Sequence, residues 1–159
     1  MRTIPAITVV LCLAVLSCVG QQPAPSTPSN GGHANTSLTG YALTVVVEGV
    51  NDKEGNIGLL VFNSDKGWPE DRHLALRDVV VPAHPGTVTV TVPNLPAGEY
   101  GVAVLHDVNK NHKLDKNFLG IPKEQWGLSN NPHAIIKAPP LSKSKFELNG
   151  NKEIDIKMQ

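Results

Sequence analysis

At 159 residues the chain has room for one domain and a leader, since domains usually run to about 100–150 residues. Its 14 basic and 14 acidic side chains cancel, so net charge makes no case for nucleic acid or an anionic membrane surface as partner. Aromatic residues are scarce while Val, Gly and Pro are plentiful, which favours short strands joined by tight turns over long helices.

Residues 1–20 read as a signal peptide: Arg2 supplies the positive start, and residues 7–16 form an apolar core of about ten residues. That core is too short to span a bilayer, which needs about 20 apolar residues. Ser17 immediately before Cys18 resembles a bacterial lipobox, in which the cysteine is lipidated and becomes the new N-terminus. Ordinary cleavage near Gly20 is the competing reading. Either way the expected destination lies across the inner membrane, as a periplasmic protein or outer-membrane lipoprotein. The two cysteines, Cys12 and Cys18, both fall in this leader, so the domain that follows has no thiol for a nucleophile, a disulfide or a thiolate metal site. Residues 21–39 (QQPAPSTPSNGGHANTSLT) carry too little apolar surface to offset ordering entropy, and read as a disordered linker.

From residue 40 to 159 the pattern is that of a β domain. Leu43, Val45 and Val47 alternate with their neighbours, as do Ile57, Leu59 and Val61, and residues 49–55 (GVNDKEG) have the composition of a hairpin loop. Residues 74–81 open like a helical turn and end as strand. Residues 86–92 (GTVTVTV) are the plainest strand, with Val88, Val90 and Val92 on one face. Further strands are expected over 99–105, 146–148 and 154–158, with Asn149-Gly150 as a tight hairpin turn between the last two. About seven short strands with no sustained helical period predict an all-β fold, a single two-sheet antiparallel β-sandwich of Ig-like or transthyretin-like outline. A long loop follows the strand ending near Asp107.

The turn Leu95-Pro-Ala-Gly-Glu-Tyr100 begins an ordered series of motifs. It continues through His106-Asp107, Asn109-Lys-Asn111, Leu114-Asp115, Gly120-Ile-Pro122 and Ser129-Asn-Asn131. This series resembles the DUF2141 family of uncharacterised bacterial secreted proteins over about residues 41–158. The resemblance implies a sandwich similar in outline to transthyretin-like and carboxypeptidase regulatory-like domains, and it implies no activity.

The stretch HDVNKNHKLD places oxygen donors at alternate positions. On a calcium-loop template Asp107, Asn109 and Asn111 fall at places one, three and five, the Lys113 carbonyl at seven and Asp115 at nine. Place six holds His112 where the template has Gly, and place twelve holds Phe118 where it has a bidentate Glu; Glu124 is available to fold back. Two readings stand side by side. One is a structural Ca2+ site with a dissociation constant on the order of 0.1–1 mM. The other is a polar turn whose Asx side chains cap their own backbone.

Other chemistries have weaker spacing. His106, His112 and His133 match no standard zinc or copper pattern. Ser64 and Ser129 lack a nucleophile-elbow context, and His106 and Asp107, adjacent on a strand, point to opposite faces. Trp68 and Trp126 either cap an open end of the sandwich or stack on a ligand. The combined expectation is a non-enzymatic cell-envelope binding or assembly module, partnered by an envelope protein or a glycan and touching membrane through the lipid anchor alone. A carbohydrate-binding module using the two tryptophans and an envelope hydrolase are the alternatives.

Overall fold

The computed structural model describes residues 40–133 and 138–159. The expected leader, the lipidation at Cys18 and the linker lie outside the described residues. Eight strands follow in order: β1 (Tyr41–Val50), β2 (Asn56–Phe62), β3 (Arg77–Pro82), β4 (Gly86–Leu95), β5 (Gly98–Asp107), β6 (Trp126–Leu128), β7 (Phe146–Leu148) and β8 (Lys152–Lys157). A short 3-10 turn, Leu141–Lys143, precedes β7.

Two sheets result, in the all-β two-layer architecture that the alternation predicts. One has the order β4-β1-β8; the other runs β3-β2-β5-β6, with β7 also pairing to β5. Leu43, Val45 and Val47 of β1 and Val88, Val90 and Val92 of β4 face Ile57, Leu59 and Val61 of β2 and Val102 and Val104 of β5, and all are buried. Thr87, Thr89 and Thr91 take the solvent side of β4. Strands β1, β2 and β4 therefore bury every second residue over most of their length, the pattern that makes a β-branched sequence stable as one layer of a sandwich.

Several connections differ from expectation. Residues 49–55 are no hairpin: β1 pairs with β4 and β8, whereas β2 pairs with β3 and β5, so the chain crosses between sheets. Gly49 and Gly55, at φ 81 and 77, make the bends of that crossing. Nor is Asn149-Gly150 a hairpin, because β7 joins β5 and β8 joins β1. Leu148 and Ile156 are each needed in the core from opposite layers, and that burial outweighs the local turn signal. The β1–β8 pair is parallel, with Val45 opposite Ile154, an exception within an otherwise antiparallel pairing scheme.

Strand β6 has no counterpart in the sequence reading. It is three residues long, too short for an alternation to register, and its centre is Gly127. A Cβ there would lie 2.6 Å from Ile156 Cγ2 and 2.9 Å from the Lys157 carbonyl oxygen, so only hydrogen fits between β6 and β8. Gln159 N donates to the Trp126 carbonyl at 2.9 Å, which ties the two sheets together along that edge.

Strand β5, inside the five-stranded sheet, is covered over most of its length on both faces. Register places Phe62 beside Gly101, Leu60 beside Ala103 and Leu128, and Gly58 beside Leu105 and Trp126, all on the side away from the sandwich core. Phe62 and Leu128 are as buried as the core residues. This double burial explains why β5 reads as a near-continuous apolar run with weak alternation.

Candidate functional site: the loop leaving strand β5 and the groove beside it

The loop 108–125 starts from Asp107, the last residue of β5, which is only 3% exposed. Its Oδ1 accepts the Asn111 backbone N–H at 3.0 Å and its Oδ2 that of His112 at 2.8 Å. Asn109 Oδ1 accepts the Asn111 N–H at 3.1 Å, and Asn111 Oδ1 accepts that of Lys113 at 2.8 Å. Successive Asx turns of this kind wind the chain into a tight arc. Lys110 and His112, both at φ 62, supply the left-handed residues that the arc requires.

The arc closes on Asp115. Asn109 Nδ2 donates to Asp115 Oδ2 at 2.7 Å and Asn111 Nδ2 to Asp115 Oδ1 at 3.0 Å. Glu124 then reaches back across the loop: its Oε1 accepts the Val108 N–H at 3.0 Å and its Oε2 the Asp115 N–H at 3.0 Å. Thus Asp107, Asn109, Asn111 and Asp115 gather in one knot, Lys113 contributes its backbone to the same arc, and Glu124 joins as a third carboxylate. Glu124 lies outside the alternating motif, and only its acidity marked it in the sequence.

Among the described residues, no group of three or more His, Cys, Asp or Glu side chains converges closely enough to hold a metal ion. A calcium site also draws on amide and backbone oxygens, which such a group leaves out. Every carboxylate and amide oxygen here accepts one N–H and has a second lone pair. At Asp115 both carboxylate oxygens accept from Asn NH2 groups.

The loop is fastened to the rest of the fold at its far end. Gln125 Oε1 accepts the Asn51 N–H at 3.0 Å, and its Nε2 donates to the Gly49 carbonyl at 2.9 Å. The backbone of Gly55 packs so closely on Asp107 that a Cβ would fall 2.1 Å from the Asp107 carbonyl oxygen. His106 points into the sandwich and is buried; its Nε2 lies 2.8 Å from the Glu54 carbonyl and its Nδ1 3.4 Å from Gln125 Oε1. His106 and Asp107 are therefore on opposite faces, as their adjacency on a strand requires. His112 Nδ1 approaches Asp107 Oδ2 only to 3.8 Å, and His133 lies outside the knot. Ser129 is buried: its Oγ donates to the Ser144 carbonyl at 2.6 Å and accepts the Val102 N–H at 2.9 Å.

Between loop 108–125 and the outer face of the five-stranded sheet runs a groove that encloses about 100 Å³. Its floor is Gly58, Leu60, Ala103, Leu105 and Trp126, and its rim carries the Arg72–Asp78 and Lys116–Glu70 ion pairs. Trp126 is thus a strand residue on the groove floor and not a loop residue. Trp68 stands over the same outer face, two cross-strand rows away. Its ring meets Phe62 edge-on at 5.4 Å, its Nε1 donates to the Pro139 carbonyl at 2.9 Å, and a Cβ on Gly101 would touch it at 3.1 Å. Trp68 therefore caps the end of the sheet, with its one donor already used.

These features define a class: a two-sheet β-sandwich with its strand β5 buried on both faces and a polar-knotted loop walling a groove. The chain belongs to the DUF2141 family, described as an uncharacterized protein conserved in bacteria, whose family model matches residues 45–157. No curated protein and no solved structure matches the chain.

Proposed function

We propose that this chain is a non-enzymatic binding module of the bacterial cell envelope, in which one calcium ion orders the loop that walls the groove. The observation that carries this reading is the hydrogen-bonded arc that links Asp107, Asn109, Asn111, Asp115 and Glu124 in loop 108–125, with left-handed residues at its fourth and sixth places. Hard oxygens from carboxylates, amides and a backbone carbonyl are the ligand chemistry calcium selects. The Asn NH2 groups at Asp115 rotate away when a cation takes their place. The spent hydroxyl of Ser129 and the capped carboxylate of Asp107 favour binding over hydrolysis. An anchor at Cys18 and a linker over 21–39 set the module near a bilayer, with an envelope protein or a glycan as its partner.

Calcium that binds the native state must raise the thermal midpoint. At about tenfold excess over the dissociation constant the gain is about 1.4 kcal/mol, which moves the midpoint by a few degrees. Asp115→Ala should abolish the shift while the domain remains folded. An unchanged wild-type midpoint in calcium and in chelator leaves the self-capped turn as the correct reading. Trp126 on the groove floor favours glycan as the partner class, because an aromatic face stacks on the apolar face of a sugar ring. Quenching or enhancement of its fluorescence across a polysaccharide panel tests that choice.

A further inference from the structure

The far turn of loop 108–125 is not explained by the knot or the groove. At its tip Phe118 is 95% exposed, Leu119 63% and Ile121 41%, three large apolar side chains gathered on one projection. The projection is ordered. Lys116 and Pro122 form an antiparallel bridge at its base. Asn117 Oδ1 accepts the N–H of Leu119 at 2.9 Å and of Ile121 at 3.0 Å. Asn117 N donates to the Ile121 carbonyl at 2.8 Å and Gly120 N to the Asn117 carbonyl at 2.9 Å. The sequence thus places polar groups where they satisfy the turn's own backbone, and directs its apolar side chains outward.

Charge around the tip is one-sided although the chain as a whole is balanced. Lys110, Lys113, Lys116 and Lys123 all lie exposed in this loop. Its acids point the other way: Asp107 and Glu124 accept backbone N–H groups and Asp115 accepts the two Asn amides. Lys116 is shared with Glu70 at 2.6 Å. Lys110, Lys113 and Lys123 have no ion-pair partner among the described residues.

We infer that residues 116–122 are a wedge that enters the interfacial layer of an anionic lipid bilayer, with the lysines as a collar on the headgroups. Three properties point to lipid. An apolar projection inserts where a flat protein face cannot receive it. Backbone N–H groups entering the hydrocarbon boundary need internal acceptors, and those of 117, 119, 120 and 121 have them. Apolar insertion and a basic collar are the two signals that together give stable peripheral attachment to negatively charged headgroups. The turn is held by Asn117 and the Lys116–Pro122 bridge and not by the Asp107–Glu124 knot, so the wedge stands whether or not calcium binds.

The test uses the full chain with Cys12→Ser and Cys18→Ser, and Leu119→Cys carrying an environment-sensitive fluorophore, in chelator throughout. A second sample carries the label at Glu153→Cys on the exposed side of β8. Vesicles of three parts phosphatidylcholine to one part phosphatidylglycerol should blue-shift the label at 119 and leave the label at 153 unmoved. Each lysine near an anionic surface is worth about a fivefold change in binding, so Lys113→Gln with Lys123→Gln should lower the ratio of inserted to water-exposed label about 25-fold. Phe118→Ser with Ile121→Ser should abolish the shift without altering the melting curve. The inference is overturned if the label at 119 does not respond, or if it responds equally to phosphatidylcholine alone. A shift that appears without vesicles and grows with protein concentration also overturns it, in favour of a second copy as the occupant.

Discussion

Strand β5 is entered and left by two connections built on opposite principles. At its start, the corner Leu95-Pro-Ala-Gly-Glu-Tyr100 is held by burial: Leu95 is wholly buried, Tyr100 nearly so, and the Tyr100 hydroxyl donates to the Pro96 carbonyl at 2.8 Å. At its end, loop 108–125 is held by polar side chains that bond to its own backbone, with apolar residues turned outward. The corner draws its stability from surface removed from water. The loop has no such reserve, and each of its bonds competes with water. The first kind of connection fixes a fold, and the second is the kind that a ligand or ion can reorganise.

Substitutions separate the two. The largest effect is expected at the corner: Leu95→Ala removes a buried side chain from the core and should cost about 2–5 kcal/mol, read as a lower denaturation midpoint. Gly55→Ala comes next and links both regions, because its Cβ would meet the Asp107 carbonyl oxygen and the residue needs φ 77. A loss of about 1–3 kcal/mol is expected, with the loop end displaced from β5. Tyr100→Phe forfeits one hydrogen bond and should cost about 1 kcal/mol. Smallest is Asp115→Ala in chelator, within about 0.5 kcal/mol, since its partners lie at the surface and turn to water.

Tyr100 also gives the corner a pH signature. Burial raises its hydroxyl above the ordinary tyrosine value, and the nearby Arg77 charge opposes that only in part. A raised native value means that the stabilisation is complete below about pH 10 and is lost as pH climbs past it, because the unfolded chain ionises first. Unfolding followed between about pH 9 and 11 should therefore show a steeper fall in stability for the wild type than for Tyr100→Phe. Equal slopes would remove Tyr100 from the account of the corner.

Much of the domain was legible where one physical rule acted alone. Alternation at Val88, Val90 and Val92 located a core face, and the Leu95–Tyr100 turn located the corner. The knot was legible in part: the spacing of Asp107, Asn109, Asn111 and Asp115 marked residues that do meet, because Asx turns are short-range. Glu124 was beyond such a pattern, since its return depends on how the whole loop folds. Pairing was the weakest inference. Turn residues at 49–55 and at Asn149-Gly150 look the same whether the chain returns to its own sheet or crosses to the other, and burial of Leu148 and Ile156 in opposite layers decides. Strand β6 was invisible because three residues around Gly127 carry no period, so nothing in the sequence places Trp126 on a strand. The double burial of β5 was present in its unbroken apolar run, but a single strand cannot say what covers its second face.

The central claim, that the loop leaving β5 is a polar knot which calcium tightens, is tested most directly by amide hydrogen exchange. In chelator the N–H groups of Asn111, His112 and Asp115 should exchange far faster than those of Val102 and Val104 within β5. Calcium should slow the first three markedly and leave the two strand amides where they were. Loop amides that exchange at the same rate in calcium and in chelator would contradict the claim.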